Sequence, residues 1–340
     1  MTIAPLIIRD LAIVGTAGGE YGIRGFIEAT DLNTGKAAWR TYTIPGAGEP
    51  GNETWKDGKE RWKHGGASVW ETATYDPETD TFYQGIGNAG PDWDSEYRPG
   101  DNKWAASVLA INPNDGKIKW GYQYTPHDPY DYDEISEHPI INAKINGEDR
   151  KLVVHAARNG FFYTLDRTNG SFIVGKQYVD QLNWTPDLDP KTGRPINYNP
   201  NADVQYYNEN SHGTRAKTES ARLCPTIAGG KNWEPGAYNP DLGLLYIPRS
   251  RAATRSRPSS RRTWKTRAVQ SSRASDSPEA RPCGRNVSTA ASRQSIQQPA
   301  RPGLPRSSPM RTMPAPWRRP EIWCSSAIST ARFRPMTPRR

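Results

Sequence analysis

Cysteine is scarce in this chain. Three occur in 340 residues, and Cys224 is the only one before residue 251. No CxxC or similar spacing exists, so a thiolate-built metal centre is excluded, and one cysteine leaves the redox compartment open. Long apolar runs are missing too: nothing comes near the ~20 residues that a membrane-crossing helix needs. The opening MTIAPLIIRD has no charged segment leading into an extended apolar one, so it does not read as a signal peptide. A cytosolic chain and one lacking its natural N-terminus both fit. Sustained helical periodicity is also lacking, which leaves short strands as the main element.

Acidic residues run out towards the end. Residues 251–340 hold 20 Lys+Arg and 3 Asp+Glu; taken from the chain totals of 45 and 36, that leaves 25 and 33 for residues 1–250. The overall charge of +9 therefore joins a front part of −8 to a tail of +17, and describes neither.

The front part is rich in Trp, Tyr, Gly, Asn and Asp, the composition of short strands joined by tight turns. An apolar strand over Leu11–Gly15 leads through TAGGEYG to a second strand over Arg24–Thr30, which ends in DLNTGKAAW (Asp31–Trp39). That ending returns as INPNDGKIKW (Ile111–Trp120) and LDRTNGSFIVG (Leu165–Gly175), and YDPETDTFY (Tyr75–Tyr83) and YNPDLGLLY (Tyr238–Tyr246) are related turns. Each reads as a hairpin whose Asp, Asn and Gly supply the turn. Recurrence at blade-like spacing predicts radially repeated antiparallel sheets, a β-propeller, with Trp39 and Trp120 packed between blades.

One stretch stands apart. In TPHDPYDYDEISEH, proline breaks both helix and central strand, so Asp131, Asp133 and Glu134 fall on a loop, free to converge on something cationic.

Taken together, DLNTGKAAW, GTAGGEYGIRG (Gly15–Gly25), YQGIGNAGPDW (Tyr83–Trp93), RPGDNKW (Arg98–Trp104), TPHDPYDYDE and RNGFFYTLDRTNG (Arg158–Gly170) resemble the quinoprotein alcohol dehydrogenases of the methanol/ethanol family, in order over nearly all of residues 5–250. The resemblance implies an eight-bladed propeller of which this chain holds the central blades, an incomplete propeller followed by an aberrant basic tail. It also implies pyrroloquinoline quinone (PQQ) and one metal ion on the propeller axis, oxidation of primary alcohols in the periplasm, and a c-type cytochrome as electron acceptor.

Carried over residue by residue, the family's metal positions fall on Glu20, Asn88 and Asp131, an oxygen set suited to a hard cation. Trp70 matches the indole on which the quinone lies, and Arg158 the guanidinium that steadies its oxygens. Ser68 and Asn232 match further cofactor contacts. Asp131 is the implied general base, taking the alcohol proton as hydride passes to the quinone, and a nearby cation is expected to depress its pKa. Asp133 departs from the calcium-type pattern: a third carboxylate favours a trivalent ion of calcium-like size and is similar to the lanthanide-dependent branch, so the expected ion is a lanthanide(III) or Ca2+. A non-catalytic propeller serving as a binding or assembly module is the alternative, but such a scaffold has no need of Glu20, Asn88, Asp131 and Arg158 together.

The switch to Arg, Ser and Pro after LGLLYIP points to a frameshift near Ser250. Joining the third base of each codon to the next two, within degeneracy, lets Pro314–Arg340 encode GALATAGDLVFFGHLDGTFSAYDAKT, a strand, turn and strand much like the earlier hairpins. The same shift turns Arg251–Ala252 into a cysteine, a partner for Cys224. Residues 251–340 are therefore expected to be disordered, with no selected nucleic-acid partner and only weak, salt-sensitive affinity for DNA.

Overall fold

The computed structural model describes residues 2–208, 215 and 221–250, with the short backbone segments 254–256 and 321–324. Strands and turns make up nearly all of its regular structure, and three four-stranded antiparallel sheets follow one another along the chain. The first holds β1 (Leu6–Ile8), β2 (Leu11–Gly15), β3 (Phe26–Asp31) and β4 (Ala37–Tyr42). The second holds β5 (Thr74–Asp76), β6 (Thr81–Ile86), β7 (Ser107–Ile111) and β8 (Ile118–Gln123). The third holds β9 (Ile140–Ile145), β10 (Glu148–Ala156), β11 (Phe161–Asp166) and β12 (Phe172–Gln177). Each is an up-and-down meander in chain order, the propeller blade expected from the repeats.

Beyond them β13 (Ala221–Leu223), β14 (Ala237–Asn239) and β15 (Leu244–Ile247) pair with two short pieces of the basic tail. β16 (Thr254–Ser256) pairs with β13, and β17 (Glu321–Cys324) with β15. Apart from these two pieces, the tail expected to be frameshifted lies outside the described residues. Cys224 is disulfide-bonded, to a cysteine whose side chain lies outside them as well.

The recurring turns do the same work in every blade. Asp31 Oδ1 accepts from the Asn33 and Thr34 N–H groups at 3.0 and 2.7 Å, and Gly35, left-handed at φ 67°, donates back to the Asp31 carbonyl at 2.8 Å. Gly116 and Gly170 repeat this with Asn112 and Asp166. Each third-to-fourth-strand pairing slips by one residue just before its turn, at Ala29/Thr30, Ala110/Ile111 and Thr164/Leu165. Glycine has a second use here. A Cβ on Gly116 would lie 2.5 Å from the Trp39 ring, and one on Gly170 2.5 Å from Trp120, so each turn offers the indole of the preceding blade a flat seat. The indole N–H groups close the joint by donating to the Pro113 carbonyl at 2.8 Å and the Arg167 carbonyl at 3.2 Å. The two tryptophans are thus the packing residues between blades that the sequence suggested.

Between sheets β6, β7 and β11 are buried on both faces. Along β7, Leu109 and Ile111 pack with Ile13, Ile27 and Phe82 towards the first blade, while Val108 and Ala110 pack with Val153, Tyr163 and Leu165 towards the third. This period-two division gives one strand two cores. Arg167 adds a polar clamp across the second joint: its Nε donates to Asp76 Oδ2 at 2.8 Å, Nη1 to Asn142 Oδ1 at 2.6 Å and Nη2 to Glu78 Oε2 at 2.6 Å.

In an up-and-down sheet the turn between strands two and three and the link from strand four to the next blade share one end. Residues 16–25, 43–73, 87–106, 124–139 and 157–160 therefore gather there. The site residues singled out from the sequence lie on these segments, apart from Asn232.

Candidate active site

The extended stretch around Ser68 threads between two of these turns. Val69 N–H donates to the Thr16 carbonyl at 2.6 Å, Ala67 N–H to the Asn88 carbonyl and Gly87 N–H to the Ser68 carbonyl, both at 2.8 Å. Buried Ser68 is thereby set against Gly19 and Gly87, where a Cβ would come within 3.0 and 2.8 Å of its hydroxyl. Trp70 follows two residues on, half-buried, with its indole N–H 3.2 Å from Asp133 Oδ2.

Asp133 is the hub. Its Oδ1 accepts the Asn88 backbone N–H at 2.6 Å, and its Oδ2 accepts from Trp70 and from Arg158 Nη1 at 3.1 Å. Arg158 Nη1 also donates to the Asp131 carbonyl at 2.8 Å and lies 3.9 Å from Asp131 Oδ1. One guanidinium thus faces two carboxylates from residues two apart in the chain. Asp131 itself is left-handed at φ 60°.

Burial, reinforced by Asp133, holds the Asp131 carboxyl well above the usual carboxylate range; Arg158 pulls the other way and does not prevail. Asp133 is raised for the same first reason, desolvation. The depression expected of Asp131 belongs to the cation-bound site; in the protein alone desolvation outweighs the single guanidinium and the shift is upward.

Glu20 sits on a 3-10 turn at Gly19–Tyr21, exposed, yet near enough to help raise both Asp92 and Asp133. Among the described residues no three His, Cys, Asp or Glu side chains close around a single point. What completes the set is an amide. Asn88 is buried, and its Oδ1 has no hydrogen-bond partner. Arg158 Nε is a second buried polar atom with none. A Cβ on Gly87 would lie 2.5 Å from Asp133 Oδ1, so glycine alone leaves this side of the pocket open. An orphan acceptor beside carboxylates and an orphan donor on the facing arginine fit a hard cation with an anionic, oxygen-bearing cofactor.

Asn232 is drawn into its own turn. Its Nδ2 donates to the Ala228 carbonyl at 3.1 Å and its Oδ1 accepts Trp233 N–H at 2.8 Å. The same loop reaches Arg158 through Gly230, whose N–H donates to the Arg158 carbonyl at 3.0 Å, and through Gly229, where a Cβ would strike the Arg158 side chain.

Glu134 does not join the acids beside it, contrary to the grouping suggested by the sequence. Successive side chains of an extended segment point to opposite sides, and Glu134 turns into the core. There its Oε2 accepts Arg158 N–H at 2.9 Å and meets His155 Nε2 at 2.8 Å. His155 stacks on His138, ring centroids 4.0 Å apart, and His138 Nε2 lies 3.1 Å from the Tyr124 hydroxyl. Burial pushes His155 down to about 3 and His138 well below its ordinary value, so both rings are neutral.

Two charged groups escaped the sequence reading. Burial raises Asp92 to about 6, and its Oδ1 lies 2.5 Å from Asn88 Nδ2. Arg98 is fully buried and donates to the carbonyls of Pro91 and Asp128 at 3.1 and 2.5 Å and to Asn102 Oδ1 at 2.8 Å, tying the turn after β6 to the acidic loop. The four-residue step from Asn88 to Asp92 was visible in the sequence but carries no signal outside a helix.

Blades packed face to face, with a tryptophan, an arginine and a set of oxygen donors gathered at one end, define a quinoprotein dehydrogenase propeller. The family of PQQ-binding glucose/ethanol/alcohol dehydrogenase β-propeller domains matches residues 1–183, and the chain belongs to it. Among curated relatives it is 42% identical over 265 residues to the quinoprotein alcohol dehydrogenase PedH of Pseudomonas putida, covering 72% of this chain and 42% of that one. To the lanthanide-dependent methanol dehydrogenase of Methylorubrum extorquens it is 36% identical over 265 residues, 73% of this chain and 43% of that one. A solved europium-containing methanol dehydrogenase superposes with a TM-score of 0.67 at 34% identity, covering 74% of this chain and 45% of that one. The chain thus spans less than half the length of these relatives.

Proposed function

We propose that this protein oxidises primary alcohols to aldehydes with PQQ and a lanthanide(III) or Ca2+ ion. The observation that carries the reading is the convergence of Asp131, Asp133, Arg158, Trp70, Ser68 and Asn88 at one end of the blades, with Asn88 Oδ1 and Arg158 Nε left without partners. PQQ, when bound, supplies the two-electron acceptor, and the cation supplies Lewis acidity. The chain's own groups do the rest. Trp70 offers a broad indole face, and Arg158 directs donors at negative oxygens from a guanidinium already fixed by Asp131 and Asp133. Glu20, Asn88, Asp131 and Asp133 supply the oxygen ligands, and Asp133, the extra carboxylate, favours the trivalent ion. Asp131, the member of the pair that keeps 22% of its side chain exposed, is the base that takes the hydroxyl proton of the alcohol.

In this reading residues 1–250 are the working unit and residues 251–340 add nothing to it. The family resemblance supplies a small alcohol as substrate, a c-type cytochrome as electron acceptor and the periplasm as the place of work.

The test is titration of the protein with PQQ and either lanthanum or calcium, followed by dye-linked oxidation of ethanol. Asp131→Asn should bind PQQ like the parent and lose about 10²- to 10⁴-fold in turnover, the usual worth of a general base. Near-normal kcat in that variant, or no PQQ binding by the parent, overturns the reading.

A further inference from the structure

Asp92 lies outside every role given so far, and what it touches is specific. The Asn88 carboxamide has two chemically different ends, and its neighbours decide which end goes where. On one side stand two acceptors, Asp92 Oδ1 at 2.5 Å and the Ala89 carbonyl at 3.4 Å. Only the NH2 end can face acceptors, so the oxygen must face the opposite way. That way lies the pocket: Oδ1 is buried, has no partner, and is 3.6 Å from where a Cβ on Gly19 would stand, beside Ser68.

Asp92 is itself held. The Arg98 guanidinium, fully buried, donates to the backbone carbonyls of Pro91 and Asp92, on either side of the peptide that carries the carboxylate. The carboxyl is therefore an acceptor fixed from behind. Without it, a carboxamide rotated by half a turn would keep its shape and present NH2 to the pocket, a donor where a cation needs an oxygen.

We propose that Asp92 is a positioning residue that locks the Asn88 carboxamide with its oxygen towards the cation. This rests on the reading of Asn88 as a cation ligand. Asp92 acts through the hydrogen bond it accepts, in the manner of the outer partners that orient first ligands in metal sites.

Terbium is the probe, because its emission can be excited through Trp70, whose indole N–H meets Asp133. In the full 340-residue chain, Asp92→Ala should weaken terbium binding at least tenfold. Asp92→Asn, which keeps an acceptor oxygen and drops the charge, should bind closer to the parent than to Asp92→Ala. In an Asn88→Ala background, Asp92→Ala should cost less than a further threefold, since no amide remains to orient. Asp92→Leu, similar in shape but without an acceptor, gives the same reading if Asp92→Ala does not fold. A loss below tenfold, an Asp92→Asn variant as weak as Asp92→Ala, or losses that multiply with Asn88→Ala each overturn the proposal. A parent chain with no sensitised terbium emission removes the metal reading along with it, whereas a parent that binds beside an indifferent Asp92→Ala removes this inference alone.

Discussion

Replacing Arg158 with Met keeps the length of the side chain and removes the one guanidinium among the described residues that reaches both Asp131 and Asp133 in the pocket. The size of the effect can be worked from the distances. At an effective dielectric constant of about 20, charges 3.1 and 3.9 Å apart attract by about 5 and about 4 kcal/mol. Those figures are not lost whole, because a carboxylate left alone takes up a proton instead, and removing one partner of a buried pair costs about 3–5 kcal/mol in practice. Arg158→Met should therefore lower stability in urea by about 3–5 kcal/mol without metal. A bound trivalent ion replaces the missing positive charge, so the penalty must shrink with lanthanum. At 100 times its Kd, lanthanum adds about 2.7 kcal/mol to the parent, and the variant, freed of guanidinium repulsion, binds it more tightly and gains more. The measurement is a pair of urea transitions, with lanthanum and with chelator, followed by tryptophan emission. A penalty below about 1 kcal/mol, the worth of an exposed pair, or a gap that fails to narrow with lanthanum, refutes the argument.

Two further outcomes follow from the fold. Arg167→Met strands Asp76, 1% exposed, at the joint between the second and third blades, and should cost about 3–4 kcal/mol, with Asp76→Asn in the same background recovering a good part of it; urea midpoints of the three variants check this. His138, neutral and buried, takes up a proton near its ordinary value only when unfolded, so its contribution is complete above about pH 6.5 and falls by about 1.4 kcal/mol per unit as pH drops below that. His138→Gln should flatten the stability profile between pH 6.5 and 5 by that slope, and an unchanged profile would show that the ring is not excluded from protonation.

The blades were legible because their information is local. An Asp or Asn that caps its own turn, followed by a left-handed glycine, is written within five residues, and Trp39 and Trp120 repeat at a fixed distance from it. Much of the site was legible through resemblance to a family, which carries long-range geometry that no window of sequence holds. Where that guide was silent, the reading failed in a definite way. Glu134 was grouped with its neighbours in sequence, but it answers to His155 from the next blade and to the backbone of Arg158. Asp92 and Arg98 were invisible because burial is what gives them meaning, and a charged residue between a proline and a tryptophan reads as a surface turn until the loop around it is seen to close. The rise of the Asp131 pKa in the protein without a cation was hidden for the same reason, since desolvation is set by burial.

The left-handed backbone at Asp131 narrows what that position can become. At φ 60° a side chain with a Cβ pays about 1–2 kcal/mol, and Asp and Asn are the residues that relieve it by bonding locally. Glu, which offers the same carboxylate on a longer arm, gets no such relief, and neither does Ala. A chemist wishing to silence the base while sparing the loop therefore has one cheap substitution, Asn, and the alanine customary in scanning would confound lost chemistry with a shifted backbone. The chain itself, through one dihedral angle, rather than the demands of the reaction, keeps a longer acid out.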